Sequence, residues 1–481
     1  MVELKELQKF LLEKGIIFPT AEIYGGFAGF PDYGPLGVEL KMAVKEAWWN
    51  RFVREREDVV GMDGSIITNP KVWKASGHVD AFYDPLVECK KCRNRFRADH
   101  VIEGKLKINA DGLPLNKMGK LIADKGVKCP KCGGELGAPK EFDLMFSTQV
   151  GPVKGNTSYL RPETAQSIFA DFFRIYRTSR KNLPFGIAQI GKAFRNEISP
   201  RNFPFRSREF EQMEIEYFIN PKKKCPLLDE VKNVKMNVLT REAQNKNGNP
   251  VEMTVSDMLK LTSEWHVYWL AKSWEFFMDI GIQSANLRLR QHTKDELSFY
   301  AKDTWDFDYN YPFGWKELMG LADRTDYDLK QHAKLTDKDL MVLEDGKKIY
   351  PHVIEPSAGV DRLVLTLLVD AWTRDGERHV LKLNQRIAPI QVAVFPLVNK
   401  EGMDDKAKEI YNKLKIKFRA FYDDKGSIGR RYRRQDSLGT PWCITVDGDT
   451  LKDETVTLRN RDSMEQKRVK ISDIVRKISE E

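Results

Sequence analysis

Residues 192 to 218, KAFRNEISPRNFPFRSREFEQMEIEYF, gather four arginines, five glutamates and five phenylalanines into 27 positions. The planar fork of arginine suits phosphate oxygens, glutamate suits an ammonium or the exocyclic amine of a purine, and a phenylalanine or arginine plane can stack on a base. A ligand with both signs of charge, such as ATP beside an amino acid, would use that whole inventory. A surface hairpin laced with salt bridges would use only the charges, and this stretch alone leaves both readings open. A second chemistry lies upstream, in the pairs Cys89/Cys92 and Cys129/Cys132. Each Cys-x-x-Cys turn lets two thiolates reach one ion at about 2.3 Å, and two such turns close a tetrahedron with no position left for substrate. This reads as structural Zn²⁺, although 36 residues separate the pairs and two unconnected redox or incidental pairs are the other reading. Cys225 and Cys443 stand apart and read as packed thiols.

The elements that must carry these groups follow from periodicity. In FEQMEIEYF the two-residue strand period sends Glu211, Met213, Ile215 and Tyr217 to one face, and Phe210, Gln212, Glu214, Glu216 and Phe218 to the other. Arg195 and Glu197 share a face in the strand IAQIGKAFRNE, and the loop ISPRNFPFRSR would join the two strands as an antiparallel hairpin. A charged inward face of that kind costs free energy unless its charges are paired or hold a ligand. Helices are expected at ELKELQKFLLEKG, with Leu4, Leu7 and Leu11 on one side, and from about Leu36 to Arg56. Residues 85 to 145 read as a zinc-bearing insertion and 220 to 285 as a helical one. From Ile387 a buried strand, IAPIQVAVFPLV, precedes a helix with Ile410, Leu414, Phe418 and Phe421 on one face, then KGSIGRRYRRQDSLGTPWCITVD and a final helix at about 471 to 479. Strands alternating with helices predict a small α/β domain over residues 386 to 481.

Composition limits the function classes. The net charge is 79 − 70 = +9, and residues 386 to 481 supply +5 of it with 21 Lys and Arg against 16 Asp and Glu. A basic terminal domain suits a polyanion such as nucleic acid, and equally a merely solvated surface. The longest apolar run, LVLTLLV, is far short of the roughly 20 residues a bilayer span needs, and the first ten residues lack a signal-peptide core. No membrane partner is expected, and the cytoplasm is the expected location.

Taken together, KAFRNE followed by FRSREFEQMEIEYF resembles motif 2 of the class II aminoacyl-tRNA synthetases. EPSAGVDRLVLTLLVDAW at 355 to 372 resembles motif 3, and GMDGSIITNPKVWKASGH, which contains Pro70, resembles motif 1. Within that class, FPTAEIYGGFAGFPDYGPLG, RPETAQ, FEQME, GWKELMGLADRTDYDL and EPSAGVDR are similar to the homodimeric glycyl-tRNA synthetase family over nearly the whole chain. Motif 3 departs from the class in having Asp361 before Arg362 where most members have Glu, yet EPSAGVDR is the glycyl-type wording.

The resemblance implies an α+β fold: a class II antiparallel-sheet catalytic domain at 1 to 385 with the zinc-bearing insertion, and a C-terminal α/β anticodon-binding domain at 386 to 481. It implies ATP-dependent attachment of glycine to glycine tRNA through a glycyl-adenylate, by a homodimer using Mg²⁺. A tRNA-binding protein without charging activity and a class II enzyme for another small amino acid are the alternatives. Arg195, Glu197 and Arg362 are the implied catalytic residues: Arg195 on the α-phosphate, Glu197 on the adenine side and Arg362 on the bent triphosphate. Phe210 is the implied adenine-stacking ring. Asn196, Phe205, Arg206, Ser207, Arg208, Glu209, Glu317, Leu318, Gly359, Val360 and Asp361 complete the implied ATP site, with Glu317 also a candidate Mg²⁺ ligand. The implied glycine site comprises Arg97, Glu163, Phe210, Glu211, Gln212, Met213, Glu214, Glu355, Pro356, Ser357, Ala358 and Gly359, with Ser357 as the wall that excludes a larger side chain. Arg430, Arg431, Tyr432, Arg433 and Arg434 are the candidate tRNA contacts, because arginines neutralise phosphates and a tyrosine ring stacks an unpaired base; pairing of some of these arginines with Asp423, Asp424 or Asp436, holding the domain together, is the other reading.

Overall fold

Period-two alternation in the longest strands dictates the architecture seen in the computed structural model. It describes residues 3–480 apart from 109, 111, 153–154, 156, 201, 299–300, 377 and 401. Arg201, in the loop of the expected hairpin, is therefore outside the described residues. After helices α1 (Leu4–Glu13) and α2 (Pro35–Trp49) the chain enters a nine-stranded sheet. Its strands are β1 (Val59–Gly61), β2 (Phe185–Phe194), β3 (Glu209–Ile219), β4 (Lys235–Leu239), β5 (Val251–Thr254), β6 (Leu287–Gln291), β7 (Asp303–Tyr311), β8 (Gly314–Thr325) and β9 (His352–Gly359). The spatial order is β5-β4-β6-β7-β8-β9-β3-β2-β1. Neighbours are antiparallel except β4 with β6 and β1 with β2.

The two faces of this sheet differ in chemistry, as the pattern in FEQMEIEYF requires. Met213, Ile215 and Tyr217 are wholly buried against the helices of one face, among them α2, Glu264–Asp279 and Val360–Ala371. The helix Ala165–Ser179 covers one end of the opposite face through Phe169 and Phe172 against Phe185 and Phe218. The remainder of that face is a cleft. Close approach behind the sheet needs glycine: a Cβ on Gly37 in α2 would lie 1.9 Å from the carbonyl oxygen of Ile16.

Residues 220 to 285 are not a helical insertion. They contribute β4 and β5 to the sheet, and Trp265, Tyr268 and Trp269 of the following helix belong to the main core. Met236 and Val238 alternate inward as in any strand, but this five-residue element is short, pairing antiparallel with β5 and joining the rest of the sheet only by parallel pairing with β6. The segment 85 to 145 does form a separate module. It has a three-stranded sheet (Tyr83–Glu88, Arg95–Arg97, Lys140–Asp143) and helices Ala98–Leu106 and Leu115–Asp124.

The C-terminal region has its own five-stranded sheet: β10 (Val392–Pro396), β11 (Ala420–Tyr422), β12 (Trp442–Val446), β13 (Thr455–Asn460) and β14 (Gln466–Lys470) in the order β11-β10-β12-β13-β14. The helix carrying Ile410 and Leu414 ends at Leu414, so Phe418 lies in the turn beyond it and the exposed Phe421 lies in β11. The arginine-rich segment forms helix Ile428–Leu438, which packs against strand Arg378–Leu381. No helix among the described residues is long and apolar enough to cross a membrane.

Candidate active site and four-cysteine cluster

Three adjacent strands build the floor of the cleft. The register sets Gln212 opposite Gly359 and Glu214 opposite Ser357, with Ser357 facing Gly320 on its other side. Alternate residues of β3, β9 and β8 therefore converge under a cleft of about 430 Å³. Its walls come from the residues after β2, from the loop before β3 and from the start of the helix Val360–Ala371.

One end of the cleft is cationic and aromatic. Arg195 donates from Nε to the carbonyl of Pro162 at 3.0 Å, and its guanidinium lies 5.4 Å from the Phe210 ring centroid. Its plane is thus held, and it has no ion pair among the described residues. Arg362 faces it, donating to the backbone oxygen and Oε1 of Glu317 at 2.9 and 3.0 Å while lying over Phe205. Glu197 pairs with Arg206 at 2.7 Å. Arg208 is a fastener: it donates to the carbonyls of Glu197 and Ala28 at 3.0 and 2.9 Å, so it ties the cleft loop to the segment around Gly29.

The other end is acidic. Glu214 accepts from Ser357 Oγ at 2.7 Å and from Thr164 Oγ1. Glu355 accepts from Arg324 Nη1 at 2.9 Å, and Arg324 also grips Asp328 through Nε and Nη2. Burial and the nearby Glu163 push the Glu214 carboxyl up, and burial pushes Glu355 well up despite Arg324. Glu163 behaves oppositely. Burial raises it, but His78, Arg324 and Arg195 outweigh that and hold it well below the usual carboxylate range. Beneath them Glu216 is wholly buried with neither oxygen hydrogen-bonded, and burial together with Glu355 raises it well above the ordinary value. A buried carboxylate without hydrogen bonds is costly to ionise, so the surroundings of Glu216 favour its neutral form. Such a site can hold anionic oxygens at one end and a small cation at the other.

The structure brings Arg195, Glu197, Phe205, Arg206, Ser207, Phe210, Gln212, Glu317, Ser357, Gly359 and Arg362 to this cleft. Glu214 and Glu355 are grouped in the buried layer under it, Glu214 meeting the lining through Ser357, and Glu163 lies close enough to act on both electrostatically. Met213, Leu318, Ala358 and Val360 instead point into the helix-side core. Pro356 is buried in β9 one residue out of phase with Glu355 and Ser357. Glu211 is also on the helix side, 3.1 Å from Lys41 and 2.8 Å from Lys45. Asp361 borders the cleft, but its carboxylate is taken by Tyr33, Lys41 and the Glu211 amide. Glu209 pairs with Lys192, and the Asn196 amide donates to Leu144. Arg97 is gripped by Asp84 and Asp99 at the base of the cysteine module. Thr164 and Arg324 are not among the site residues that the resemblance implies, yet they bond Glu214 and Glu355. The two-residue period of β8, Gly320-Ala322-Arg324, carries the signal for Arg324.

The four cysteines converge as the spacing requires, with Cys89 Sγ 3.5 Å from Cys132 Sγ and Cys92 Sγ 3.7 Å from Cys129 Sγ. All four sulfurs lie within 4.8 Å of one another, which fits the edges of a tetrahedral thiolate site for Zn²⁺. The stems of this knuckle reach the cleft, because Phe82 packs 5.7 Å from the Arg195 guanidinium and Leu144 binds the Asn196 amide. Purified protein is expected to carry about one zinc per chain. Chelation should lower the Tm and raise the KM for an amino acid in the cleft. Elemental analysis and a melting curve check this, and metal-free protein with an unchanged Tm contradicts it.

In the C-terminal region the arginines divide into two groups. Arg431 is only 3% exposed and donates to the carbonyls of Gly426 and Pro396. Arg434 pairs with Asp423 at 2.6 Å, while Tyr432 bonds Thr445 and lies beneath Arg459. These three hold the domain together. Arg430 and Arg433 are exposed and have no ion pair among the described residues.

Comparison with known proteins follows the same division. Residues 152–370 match the tRNA synthetase class II core domain (G, H, P, S and T), and residues 391–481 match the anticodon binding domain. Glycine–tRNA ligase of Clostridium acetobutylicum is 47% identical over 97% of this chain and 96% of its own length. That of Caldanaerobacter subterraneus subsp. tengcongensis is 46% identical over 97% and 96%. Among solved structures, Giardia lamblia prolyl-tRNA synthetase in complex with prolyl-adenylate has a TM-score of 0.60 at 15% identity. It covers 98% of this chain and 76% of that one, a likeness of fold.

Proposed function

The chain belongs to the glycine–tRNA ligases of the class II aminoacyl-tRNA synthetases, and from that premise we propose that the cleft activates glycine with ATP before transfer to tRNA. Attachment of glycine to its tRNA is the reaction of the family. The observation that carries the reading is that Arg195 and Arg362 line the cleft while a buried group of carboxylates, Glu214 with Glu355, meets the cleft lining at Ser357, to which Glu214 bonds.

In this reading the triphosphate bends between Arg195 and Arg362, and the adenine stacks on Phe210 with Glu197 at its polar edge. The glycine ammonium sits among Glu163, Glu214 and Glu355. Its carboxylate attacks the α-phosphorus, pyrophosphate leaves, and the negative charge developing on the phosphate oxygens meets guanidinium donors already in place. A terminal hydroxyl of the tRNA then attacks the adenylate carbonyl and releases AMP. No protein nucleophile is needed. Mg²⁺ takes one or two carboxylates plus phosphate oxygens, which Glu317 beside Arg362 suits, and it would supply charge neutralisation there. Ser357, fixed by its bond to Glu214, stands where the Cβ of a larger amino acid would project. Rejecting a bulkier competitor by clash is easier than rejecting a smaller one, so no editing site is required.

Two further features support the rest of the reading. Ile23 and Tyr24 are 90% and 86% exposed and Phe27, three residues on, is also exposed, an apolar segment that suits a second copy of the chain. The exposed Arg430 and Arg433 suit the phosphates of the tRNA anticodon arm. A cytoplasmic location is consistent with the absence of a membrane-spanning helix among the described residues.

Glycine-dependent exchange of pyrophosphate into ATP tests the activation half. Exchange with glycine but not with alanine or serine is expected, and exchange with alanine as efficient as with glycine contradicts the assignment of the pocket. Replacing Arg430 and Arg433 together with alanine should reduce tRNA charging about tenfold and flatten its salt dependence, while leaving pyrophosphate exchange unchanged. Equal loss of both activities would place these arginines in the fold.

A further inference from the structure

One carboxylate of the acidic end, Glu163, is held from both sides by residues that do not line the cleft. His78 Nε2 lies 3.5 Å from Glu163 Oε2. Gln166 Nε2 lies 3.0 Å from Glu163 Oε1. Both neighbours are fixed in turn. His78 Nδ1 is 2.7 Å from Ser76 Oγ, which has the carbonyl of Trp73 at 3.2 Å as a second partner. The Trp73 carbonyl can only accept, so the Ser76 proton goes to it and His78 Nδ1–H donates to Ser76 Oγ; the ring then presents Nε2–H to Glu163 as the imidazolium. Gln166 is wholly buried, shares Asp328 with Arg324, and has its Oε1 2.9 Å from His332 Nε2. A continuous polar chain therefore runs from Ser76 through His78, Glu163, Gln166, Asp328 and Arg324 to Glu355.

We propose that His78 and Gln166 are positioning residues that clamp Glu163, one on each oxygen, and keep it ionised and aimed at the amino group of the substrate. The proposal rests on the reading of the acidic end as the ammonium site. Without the clamp, Glu163 would share its pocket with Glu214 and Glu355, and three carboxylates this close cannot all remain charged before a cation arrives. The charged groups that face Glu163 are His78 from the helix His78–Ala81, Arg195 beyond β2, Glu214 from β3, Arg324 from β8 and Glu355 from β9. Asp328 and His332 lie behind Gln166. Donors on Glu163 thus choose which carboxylate stays anionic in the empty site, and a preformed anion is what a small ammonium needs for binding.

Steady-state pyrophosphate exchange on the full-length enzyme tests the clamp, with the KM for glycine and for ATP measured separately from pH 6 to 9. His78→Leu and Gln166→Met should each raise the KM for glycine about tenfold or more, as loss of a hydrogen bond to a charged group does, with the KM for ATP within about twofold of the parent. The acid limb of kcat/KM for glycine should move to higher pH, because a carboxylate that loses a donor holds its proton more tightly. His78→Gln, which keeps an N–H at similar reach, should recover most of the affinity and keeps the test open if the leucine variant does not fold. An unchanged glycine KM, or glycine and ATP constants that rise together with no movement of the acid limb, overturns the clamp. Glu163→Gln separates the levels. If it weakens glycine while the His78 and Gln166 variants do not, only the clamp fails; if it leaves glycine binding intact, the ammonium site fails and the clamp with it.

Discussion

Arg195→Ala abolishes glycine-dependent pyrophosphate exchange, a loss of about 10³-fold or more, while the protein melts at its parental temperature. Arg195 contacts the rest of the molecule through one hydrogen bond to the Pro162 carbonyl and through aromatic faces, so its removal opens no core. Its guanidinium is anchored by the Pro162 carbonyl and lies near the Phe210 and Phe82 rings before any phosphate arrives, so the donors need little reorganisation when charge develops on the α-phosphate. Single preorganised donors are worth about 10² to 10³ in rate, and arginines on transferring phosphoryl groups more. Arg195→Lys should recover little, since a point charge cannot replace a fork of fixed orientation. Exchange within tenfold of the parent in the alanine variant contradicts the role assigned to this arginine.

Glu214→Gln raises the KM for glycine by about 10- to 100-fold and flattens its dependence on pH. The sign follows from burial. Glu214 and Glu355 have carboxyls raised above their ordinary values, so the empty pocket retains protons that an ammonium must displace. Glycine affinity in the parent therefore rises with pH through the raised range, up to the point where the glycine amine itself loses its proton. Stability has the opposite slope. A carboxyl raised in the folded state stabilises below its unfolded pKa, and that contribution is lost as pH climbs through the folded value, so the glycine-free enzyme loses Tm with rising pH and added glycine restores it. Melting curves with and without glycine at pH 6 and pH 8 check this. A glycine affinity independent of pH in the parent contradicts the raised carboxyls.

The strand period in FEQMEIEYF was enough to divide Glu214 and Glu216 from Met213, Ile215 and Tyr217, because a sheet buried on one face leaves no freedom of register. The same period argues against Glu211 as a cleft residue, whereas family resemblance alone treats Phe210 to Glu214 as one continuous contact. Glu211 faces Lys41 and Lys45 behind the sheet. Residues 235–254 were illegible as strands because β4 and β5 are only five and four residues long, and although they pair with each other antiparallel, β4 joins the main sheet only through β6, about 50 residues on and parallel. Phe418 and Phe421 continued the spacing of Ile410 and Leu414, but the helix ends at Leu414 and the chain turns into β11. That some arginines of the basic segment pair with its neighbouring aspartates was open from the sequence, and Arg434 does reach Asp423, but composition does not reveal which ones, nor that Arg431 reaches the Pro396 carbonyl. The cysteine cluster was legible at full resolution of residues, since two Cys-x-x-Cys turns can satisfy one tetrahedron regardless of what separates them.

The most direct measurement is aminoacylation itself, with purified enzyme, labelled glycine, ATP and transcripts of glycine tRNA and of a second tRNA. The account predicts ATP-dependent, ribonuclease-sensitive incorporation of glycine into the glycine tRNA alone, absent with Arg195→Ala and reduced with the Arg430/Arg433 double variant. Tight binding of glycine tRNA without any incorporation of glycine would contradict it.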